Sequence, residues 1–227
     1  MRVGVLFSGR GSNLGALIRA TMHPEYPAQV AIAICNKPNA GGLKIAKEHN
    51  VDHRVVDQGG YETREDHEAA MTAVLEQAQV DIVCLAGYMR LLTDDFVRRF
   101  EGRMINIHPS LLPLFPGLDT HARALAAGMR VHGCTVHFVT ERMDEGPIIA
   151  QAAIAIEPGD TPEILAQRLL RAEHRLYPHA LRMALTGEVR MVNGQAAYRR
   201  RAQQLPADEE EPARPPQILL SPDARRD

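Results

Sequence analysis

The sequence predicts an α/β protein with a Rossmann-like, mostly parallel sheet, helices on both faces, and an antiparallel hairpin near the C-terminal end of the domain. Two observations predict this class. Short apolar segments alternate with helical segments along most of the chain, a pattern typical of parallel sheets with right-handed crossovers. Polar or glycine-rich segments follow several of the apolar ones, as ligand-binding loops do at the carboxyl edge of such sheets.

The elements are predicted in order from periodicity, caps and turns. Strands are expected at 3–7, 30–35, 54–56 and 81–85, from Met104 onward, at 131–140 and at 148–156, the last two as a hairpin. Helices are expected from about residue 14, at 42–49, at 63–77 and at 93–100. A further helix is expected after His121, ending at about residue 127, and the last helix runs from Thr161 to Gly187. Thr93 and Thr161 are the expected N-caps of their helices. The inward-facing residues predicted for the third helix are Ala70, Val74 and Ala78. Those predicted for the last helix are Ile164, Leu165, Leu169 and Leu176.

Composition narrows the functional class. The chain has 227 residues, is 45% hydrophobic and carries a formal net charge of -2, so neither a nucleic acid nor a membrane surface is an expected partner. The three cysteines lie within apolar segments without a pairing pattern, which favours a reduced, cytoplasmic setting. The first apolar segment lacks the length and cleavage site of a signal peptide, and no segment has the length of a membrane span.

The chain changes character after Asn193-Gly194. Three consecutive arginines start at Arg199, four consecutive acids start at Asp208, and several prolines follow. We therefore expect one domain over residues 1–190 and a C-terminal extension over 191–227 that is largely flexible from about residue 200. The composition does not suggest a function for this extension.

A glycine-rich turn follows the first strand. Its sequence is Ser8-Gly9-Arg10-Gly11-Ser12-Asn13, and a helix begins directly after it. A strand, a glycine-rich turn and a helix start together can hold a phosphate on backbone N–H groups. The alternative is that Ser12 or Asn13 is simply the N-cap of the helix.

Two further loops are expected at the same edge of the sheet. Residues 86–92, after the fourth strand, are mostly apolar. On the fifth strand, Asn106 and His108 are two residues apart and therefore share a face, and Pro109 and Pro113 constrain the chain that follows. An amide, an imidazole, a phosphate loop and an apolar loop are thus predicted to converge.

Asp144, in the loop of the predicted hairpin, is the candidate partner of His108. The alternative is a turn residue. A carboxylate beside an imidazole orients it and favours its charged form. An amide and an imidazolium aimed at one point stabilise an oxyanion. Asn, His and Asp without a nucleophile suit attack by a substrate's own amine on an acyl or formyl carbon.

A serine nucleophile and a catalytic metal are the alternatives to this chemistry, and the sequence supports both less well. Ser110 follows Pro109 and lacks the Gly-x-Ser-x-Gly elbow of hydrolase nucleophiles. His132 and Cys134 share a strand face, but His137 has the opposite parity and the sequence has no HExxH or CxxC motif, so a catalytic metal is not expected.

The segments Ser8–Asn13, 86–90, 106–113, 137–140 and 144–147 together resemble the folate-dependent formyltransferases. The resemblance covers roughly residues 1–190 in collinear order. The Asn-Ile-His-Pro-Ser-Leu-Leu-Pro segment is specific to that group, and the Ser-Gly-x-Gly-Ser-Asn loop resembles its glycinamide ribonucleotide branch. The resemblance implies transfer of a formyl group from 10-formyltetrahydrofolate, as co-substrate, to the amine of glycinamide ribonucleotide in purine synthesis, without a metal.

The resemblance also implies residue roles. The implied catalytic residues are Asn106, His108 and Asp144. The substrate phosphate and ribose would be held by Gly11, Ser12, Asn13 and Glu173. The folate would contact Arg64, Met89, Arg90, Leu91, Leu92, Val139, Thr140 and Glu141, together with Asn106 and Asp144. The chain would act as a monomer or homodimer.

Three other functions remain as alternatives to this interpretation. A methionyl-tRNA formyltransferase would add an RNA-binding barrel and basic charge, and a formyltetrahydrofolate hydrolase would add an N-terminal regulatory domain. A noncatalytic nucleotide-binding module would need the phosphate loop but not the Asn, His and Asp. One departure from the family pattern is Asp119, where a histidine is frequent; His121 is nearby.

Overall fold

The computed structural model describes residues 1–199. The strands are β1 Arg2–Phe7, β2 Gln29–Cys35, β3 His53–Val55, β4 Ile82–Leu85, β5 Met104–His108, β6 Val131–Phe138, β7 Ile148–Ala155, β8 Val189–Val192 and β9 Gln195–Tyr198. The helices are α1 Ser12–Thr21, α2 Gly42–Glu48, α3 Arg64–Gln77, α4 Asp94–Arg99, α5 Thr120–Ala126 and α6 Pro162–Leu185, with a 3₁₀ turn at Gln58–Gly60.

Seven strands form one sheet in the order β3-β2-β1-β4-β5-β6-β7. Strands β1 to β5 pair in parallel, whereas β6 is antiparallel to β5 and β7 is antiparallel to β6. The predicted fold class is therefore confirmed, including the antiparallel hairpin of β6 and β7. The chain moves outward from β1 to β3 and then restarts on the other side at β4, which creates a switch point between β1 and β4.

The core lies on both faces of the sheet because alternate side chains of β1 point in opposite directions. Val5 and Phe7 pack with apolar residues of α1, α2 and α6, whereas Leu6 packs with α3 and α4 on the other face. Tyr177 of α6 is fully buried, and its hydroxyl lies 2.9 Å from the Leu85 carbonyl and 3.1 Å from the Ile105 carbonyl. This contact fixes α6 against the ends of β4 and β5.

The predicted caps Thr93 and Thr161 are confirmed, and Thr63 is a third threonine cap that was not predicted. The hydroxyls of Thr63, Thr93 and Thr161 accept hydrogen bonds from backbone N–H groups at the starts of α3, α4 and α6. Each cap satisfies an N–H that has no partner within its own helix.

Two predicted helix faces are correct only in part. In α3 the predicted residues Ala70, Val74 and Ala78 pack against the core but are only partly buried, and the prediction missed the fully buried Met71 and Leu75. The larger side chains turn toward the sheet because they remove more apolar surface from water. In the first turn of α6, Ile164 is 49% exposed, whereas Leu165 is fully buried.

The hairpin of β8 and β9 was not predicted. It forms a separate two-stranded sheet after α6, turning at Asn193 and Gly194. The hydroxyl of Tyr198 lies 2.8 Å from the Ile148 carbonyl and 3.0 Å from the Ile149 carbonyl, which ties β9 to β7. The extension predicted to be flexible from about residue 200 lies outside the described residues.

Within residues 1–199, none of the helices has both the length and the apolar character needed to cross a membrane.

Candidate active site

Three loops meet at the carboxyl edge of the sheet, as the sequence predicted. They follow β1, β4 and β5, which are neighbouring parallel strands on either side of the switch point. Ser8 joins the first two loops: its N–H donates to the Gly87 carbonyl over 3.1 Å, and its hydroxyl accepts from the Met89 N–H over 2.8 Å. Sequence reasoning assigned no role to this serine, because only the folded sheet brings residues 8 and 89 together.

The glycine-rich turn places the start of α1 at the site. Gly11 is the N-cap, with φ +75°, and no side chain caps the helix. The alternative in which Ser12 or Asn13 is the cap is therefore wrong. A Cβ on Gly11 would lie 2.5 Å from the Gly42 Cα, so only glycine fits this position. The N–H groups of the first turn of α1 have no helical partner and are suited to an anion.

Asn13 and Glu173 form a buried polar pair beside this turn. The Asn13 Nδ2 donates to the Glu173 Oε2 over 2.7 Å, and the two residues are 8% and 6% exposed. Burial raises the pKa of Glu173, while the hydrogen bond from Asn13 lowers it. The Asn13 Oδ1 is buried and has no partner among the described residues. An acceptor without a donor at this position fits a ligand that brings a hydroxyl or N–H group.

The predicted folate-contacting residues differ in how far they are buried. Leu92 and Val139 are partly buried and pack against the same apolar cluster, which includes Leu85 and Met104. Met89 and Leu91 are each 62% exposed, as expected for residues that await a partner surface. The Nη1 of Arg90 is buried without a hydrogen-bond partner among the described residues and fits a ring carbonyl or nitrogen acceptor.

Three other predicted residues lie at the margins of the site. The Thr140 hydroxyl donates to the Arg142 carbonyl over 3.3 Å, and Glu141 pairs with Arg98 of α4, with the Oε1 2.5 Å from the Nη1. Arg64 is the exposed first residue of α3, and no hydrogen bond or ion pair within residues 1–199 joins it to the other predicted residues.

His108 lies at the end of β5 and is 5% exposed. Its Nδ1 is 3.4 Å from the Asp144 Oδ2, and its Nε2 is 3.0 Å from the Phe115 carbonyl oxygen. Both neighbours are hydrogen-bond acceptors, so a ring that carries hydrogens on both nitrogens satisfies both contacts. The predicted pairing of His108 with Asp144 is thus present in the structure.

The backbone of the loop between β5 and α5 holds Asp144. Its Oδ2 accepts from the Gly117 N–H over 2.8 Å, and its own backbone has φ +57°. A left-handed conformation is uncommon for residues other than glycine, and aspartate tolerates it better than most. The loop between residues 139 and 147 thereby directs the carboxylate toward His108.

Asn106 contacts a residue that sequence reasoning left without a role. It lies opposite His137 across the pairing of β5 and β6, and the two side-chain atoms Asn106 Nδ2 and His137 Nε2 are 3.2 Å apart. The His137 Nδ1 is 2.9 Å from the Phe138 carbonyl oxygen. Nδ1 must therefore donate, so Nε2 accepts from the asparagine amide.

His137 is the main residue that the sequence analysis missed. Burial lowers its pKa, although the Phe138 carbonyl and Asp144 oppose that shift. Its Nε2 is also 3.8 Å from the Asp144 Oδ1. The histidine shares a strand face with Thr135, and this alternation was the available signal; the register that places it opposite Asn106 was not readable from sequence.

The residues considered for the two other chemistries have different partners in the structure. Ser110 is fully buried, and its hydroxyl donates to the Leu114 carbonyl over 2.6 Å rather than to a histidine. The Nε2 of His132 contacts the Nδ1 of His121 at 3.1 Å. In the described part of the chain, no group of three or more His, Cys, Asp or Glu residues is arranged to hold a metal.

The fold and the site define a class. Asn106, His108 and Asp144 surround one point at the switch edge of an open α/β sheet, beside a helix start suited to phosphate. An amide, an imidazole and a carboxylate without an activated nucleophile are the groups expected of a group-transfer site in which one substrate attacks the other.

Comparison with known proteins gives the family. The formyl transferase family model matches residues 1–181. A phosphoribosylglycinamide formyltransferase of Bacillus subtilis is 40% identical over 184 residues, which is 81% of this chain and 94% of that protein. The crystal structure of such an enzyme from Brucella melitensis is 52% identical, covers 85% of this chain and 98% of that one, and has a TM-score of 0.79. This chain belongs to the formyl transferase family.

Much longer, trifunctional relatives also match this chain. The human trifunctional purine biosynthetic protein adenosine-3 is 46% identical over 190 residues, which is 84% of this chain. The chain spans only 19% of the length of that relative.

Proposed function

We propose that the chain transfers the formyl group of 10-formyltetrahydrofolate to the amine of glycinamide ribonucleotide, giving formylglycinamide ribonucleotide and tetrahydrofolate in purine biosynthesis. The observation that carries the proposal is the cluster of Asn106, His108 and Asp144 beside the Gly11 turn. Two bacterial relatives of this chain bear the name phosphoribosylglycinamide formyltransferase, and the match covers almost the whole length of each. The residues that we assign to both halves of the reaction are grouped around the carboxyl edge of the sheet, which supports the proposal.

Glycinamide ribonucleotide binds at the start of α1. The backbone N–H groups of Gly11, Ser12 and Asn13 hold the phosphate, where the helix dipole favours negative charge. Glu173 accepts from the ribose or the amine end of the substrate, and the unpartnered Asn13 Oδ1 accepts a second hydrogen bond. The buried pair thereby fixes the distance between the phosphate and the amine.

The pterin of the folate lies between the loop of residues 86–92 and the loop of residues 139–144. Leu92 and Val139 contribute apolar surface, and Arg90 supplies a buried donor. The exposed Met89 and Leu91 cover the ring when it binds. Thr140 and Glu141 are at the rim, and Arg64 faces the negatively charged tail of the folate.

Formyl transfer requires a new bond from the substrate amine to the formyl carbon and loss of the bond from that carbon to the folate nitrogen. The carbonyl oxygen gains negative charge in between. Asn106 donates the amide hydrogen that His137 does not use, and His108 donates from its ring. The amine loses a proton and the departing folate nitrogen gains one, and Asp144 carries this proton through His108 or a bridging water.

The contact of His108 with Phe115 adds a condition to the proposed mechanism. The Nε2–H of His108 is donated to the Phe115 carbonyl, 3.0 Å away. Donation to the formyl oxygen therefore requires that Phe115 release this nitrogen when substrate arrives. Phe115, with φ +54°, lies in the loop between β5 and α5, so the exchange of acceptors requires a change in the conformation of this loop.

The deciding experiment measures formation of tetrahydrofolate from 10-formyltetrahydrofolate by the purified protein, with and without glycinamide ribonucleotide. We expect turnover only when both are present. Turnover without the ribonucleotide would instead indicate a hydrolase, and failure to turn over both substrates together would contradict the proposal.

A matched pair of histidine variants separates catalysis from folding. His108→Ala should remain folded, with some loss of stability because a buried side chain is removed, but lose about 10²-fold or more in kcat, because one oxyanion donor is removed. His23→Ala, at an exposed position before β2, should keep wild-type kcat. A His108→Ala protein with full activity would favour the noncatalytic module instead.

The cellular setting is part of the same proposal. The protein acts in the cytoplasm as a monomer or homodimer, with residues 1–190 forming the formyltransferase domain. Cys35, Cys84 and Cys134 are free and buried, which suits a reducing compartment.

A further inference from the structure

A groove of about 670 Å³ lies between α6 and β7, the edge strand of the main sheet. One wall is apolar and the other is basic. The residues that characterise it are Ala152, Ile154, Arg168, Arg171, Arg175 and His179.

The groove is separate from the active site. Arg171 and Arg175 are one helical turn apart on α6, and Glu173 lies 200° around the helix from Arg171, on nearly the opposite face. Glu173 is buried against Asn13, whereas both arginines are exposed. A ligand in the groove therefore contacts a surface that the formyl transfer reaction does not use.

Two cations of the groove lack partners within the described residues. Arg168 is held by Asp160 and by the Ala155 carbonyl. Neither Arg171 nor Arg175 forms a hydrogen bond or an ion pair with any residue from 1 to 199. Two neighbouring guanidinium groups with no carboxylate partner, beside an apolar wall, fit an anionic segment that also has apolar residues.

The described chain ends close to this groove. Tyr198 is fixed to the carbonyls of Ile148 and Ile149 at the start of β7. The apolar wall at Ala152 to Ile154 lies three to five residues further along the same strand, which is about 10–17 Å at the usual rise of a strand.

The sequence supplies an anionic segment at a matching distance. Asp208, Glu209, Glu210 and Glu211 are consecutive, and Ile218, Leu219 and Leu220 follow. Asp208 lies nine positions after Arg199, and a random-coil segment of nine residue steps has a root-mean-square span of about 17 Å. The span matches the distance from Tyr198 to the groove, which is the condition for a high effective concentration.

We propose that the acidic run Asp208–Glu211 of this chain binds in the groove between α6 and β7, with its carboxylates on Arg171 and Arg175. The apolar residues 218–220 then lie in reach of Ala152 and Ile154. The occupant is a segment of the same molecule, so binding is independent of protein concentration.

Disulfide trapping in the full chain tests this contact. The native cysteines are buried. The variant Ala153→Cys with Pro212→Cys places one thiol in the groove and one next to the intact acidic run. The matched control is Ala69→Cys with Pro212→Cys, because Ala69 is an exposed alanine on α3, on the other face of the sheet. Mild oxidation should form the 153–212 disulfide within one chain about tenfold faster than the 69–212 disulfide.

Removing the charges decides whether the arginines are responsible. Arg171→Gln with Arg175→Gln should abolish the difference between the two cysteine pairs, and so should about 0.5 M salt, since exposed ion pairs are screened. Equal rates for the two pairs would overturn the proposal. So would a disulfide between two chains, which would indicate a second copy as the occupant. A fast 153–212 disulfide that survives loss of both arginines would also overturn it, as expected if the acids pair with arginines 199–201 instead.

Discussion

Asn106 and His137 face each other across the antiparallel pairing of β5 and β6, with the Asn106 Nδ2 3.2 Å from the His137 Nε2. Because the other ring nitrogen of His137 donates to the Phe138 carbonyl, the histidine accepts from the amide and fixes its orientation. The same ring lies 3.8 Å from the Asp144 carboxylate. His137 therefore orients one proposed catalytic residue, Asn106, and lies beside a second, Asp144.

His137→Ala should lower kcat by about 10- to 100-fold, since the freed amide no longer points at the reacting oxygen. His137→Gln offers an acceptor oxygen and should recover part of this loss. Steady-state kinetics of both variants, together with their unfolding temperatures, provide the comparison. Equal activity of His137→Ala and the wild type would show that the amide does not need this support.

Asp144→Asn should also lower kcat by about 10²-fold or more, because it removes the charge that supports an imidazolium at His108. The asparagine oxygen can still accept from the Gly117 N–H, so the unfolding temperature should change little. Circular dichroism melts and single-turnover rates separate the two effects. An Asp144→Asn protein with the wild-type rate would remove this residue from the mechanism.

Gly11→Ala should destabilise the protein by about 2 kcal/mol and raise the KM for glycinamide ribonucleotide. The reasons are the left-handed φ and the 2.5 Å approach of a new Cβ to Gly42. The matched control is Gly9→Ala in the same turn, where a Cβ meets nothing within 4 Å and no positive φ is present. Urea denaturation of both proteins should show a large loss for Gly11→Ala alone.

Glu173→Gln should separate stability from binding. The raised pKa of the buried carboxyl means that its ionised form costs folding free energy, and this cost grows as pH rises through the folded-state pKa. The glutamine can still accept from Asn13, so the variant should be at least as stable as the wild type at pH 7. Its KM for glycinamide ribonucleotide should nevertheless rise by about tenfold, because a charge-assisted contact is lost. A lower unfolding free energy at pH 7 would contradict the argument.

The contact between His121 and the buried His132 predicts how stability depends on pH. Burial and the neighbouring His121 lower the pKa of His132 from 6.5 to about 4. A lowered folded-state pKa means that stability is complete above about pH 6.5 and falls as pH approaches 4, because the unfolded chain binds the proton more tightly. The loss should be roughly 2 kcal/mol.

His132→Gln should reduce this slope between pH 7 and pH 4.5 in urea titrations, whereas the exposed His23→Gln should leave it unchanged. The same slope in His132→Gln and in the wild type would show that other groups cause the acid sensitivity.

The sequence by itself determined the fold class, two of the three threonine caps, the three loops at the carboxyl edge and the pairing of His108 with Asp144. These follow from local signals: alternation of apolar segments, hydroxyls before helices, glycines where the backbone turns, and the two-residue spacing of Asn106 and His108. Each signal lies within a few residues of the feature it predicts, except for the pairing of His108 with Asp144, which was predicted from the chemistry of a carboxylate beside an imidazole.

Only the tertiary structure decided how the elements face one another. The register of β6 against β5 placed His137 on Asn106, the rotation of α3 buried Met71 and Leu75, and the switch point brought Ser8 to Met89. The loop after β5 placed the Phe115 carbonyl on His108. These contacts join residues that are distant in sequence or set by a loop conformation, and they depend on packing free energy summed over the whole core, which no local pattern encodes.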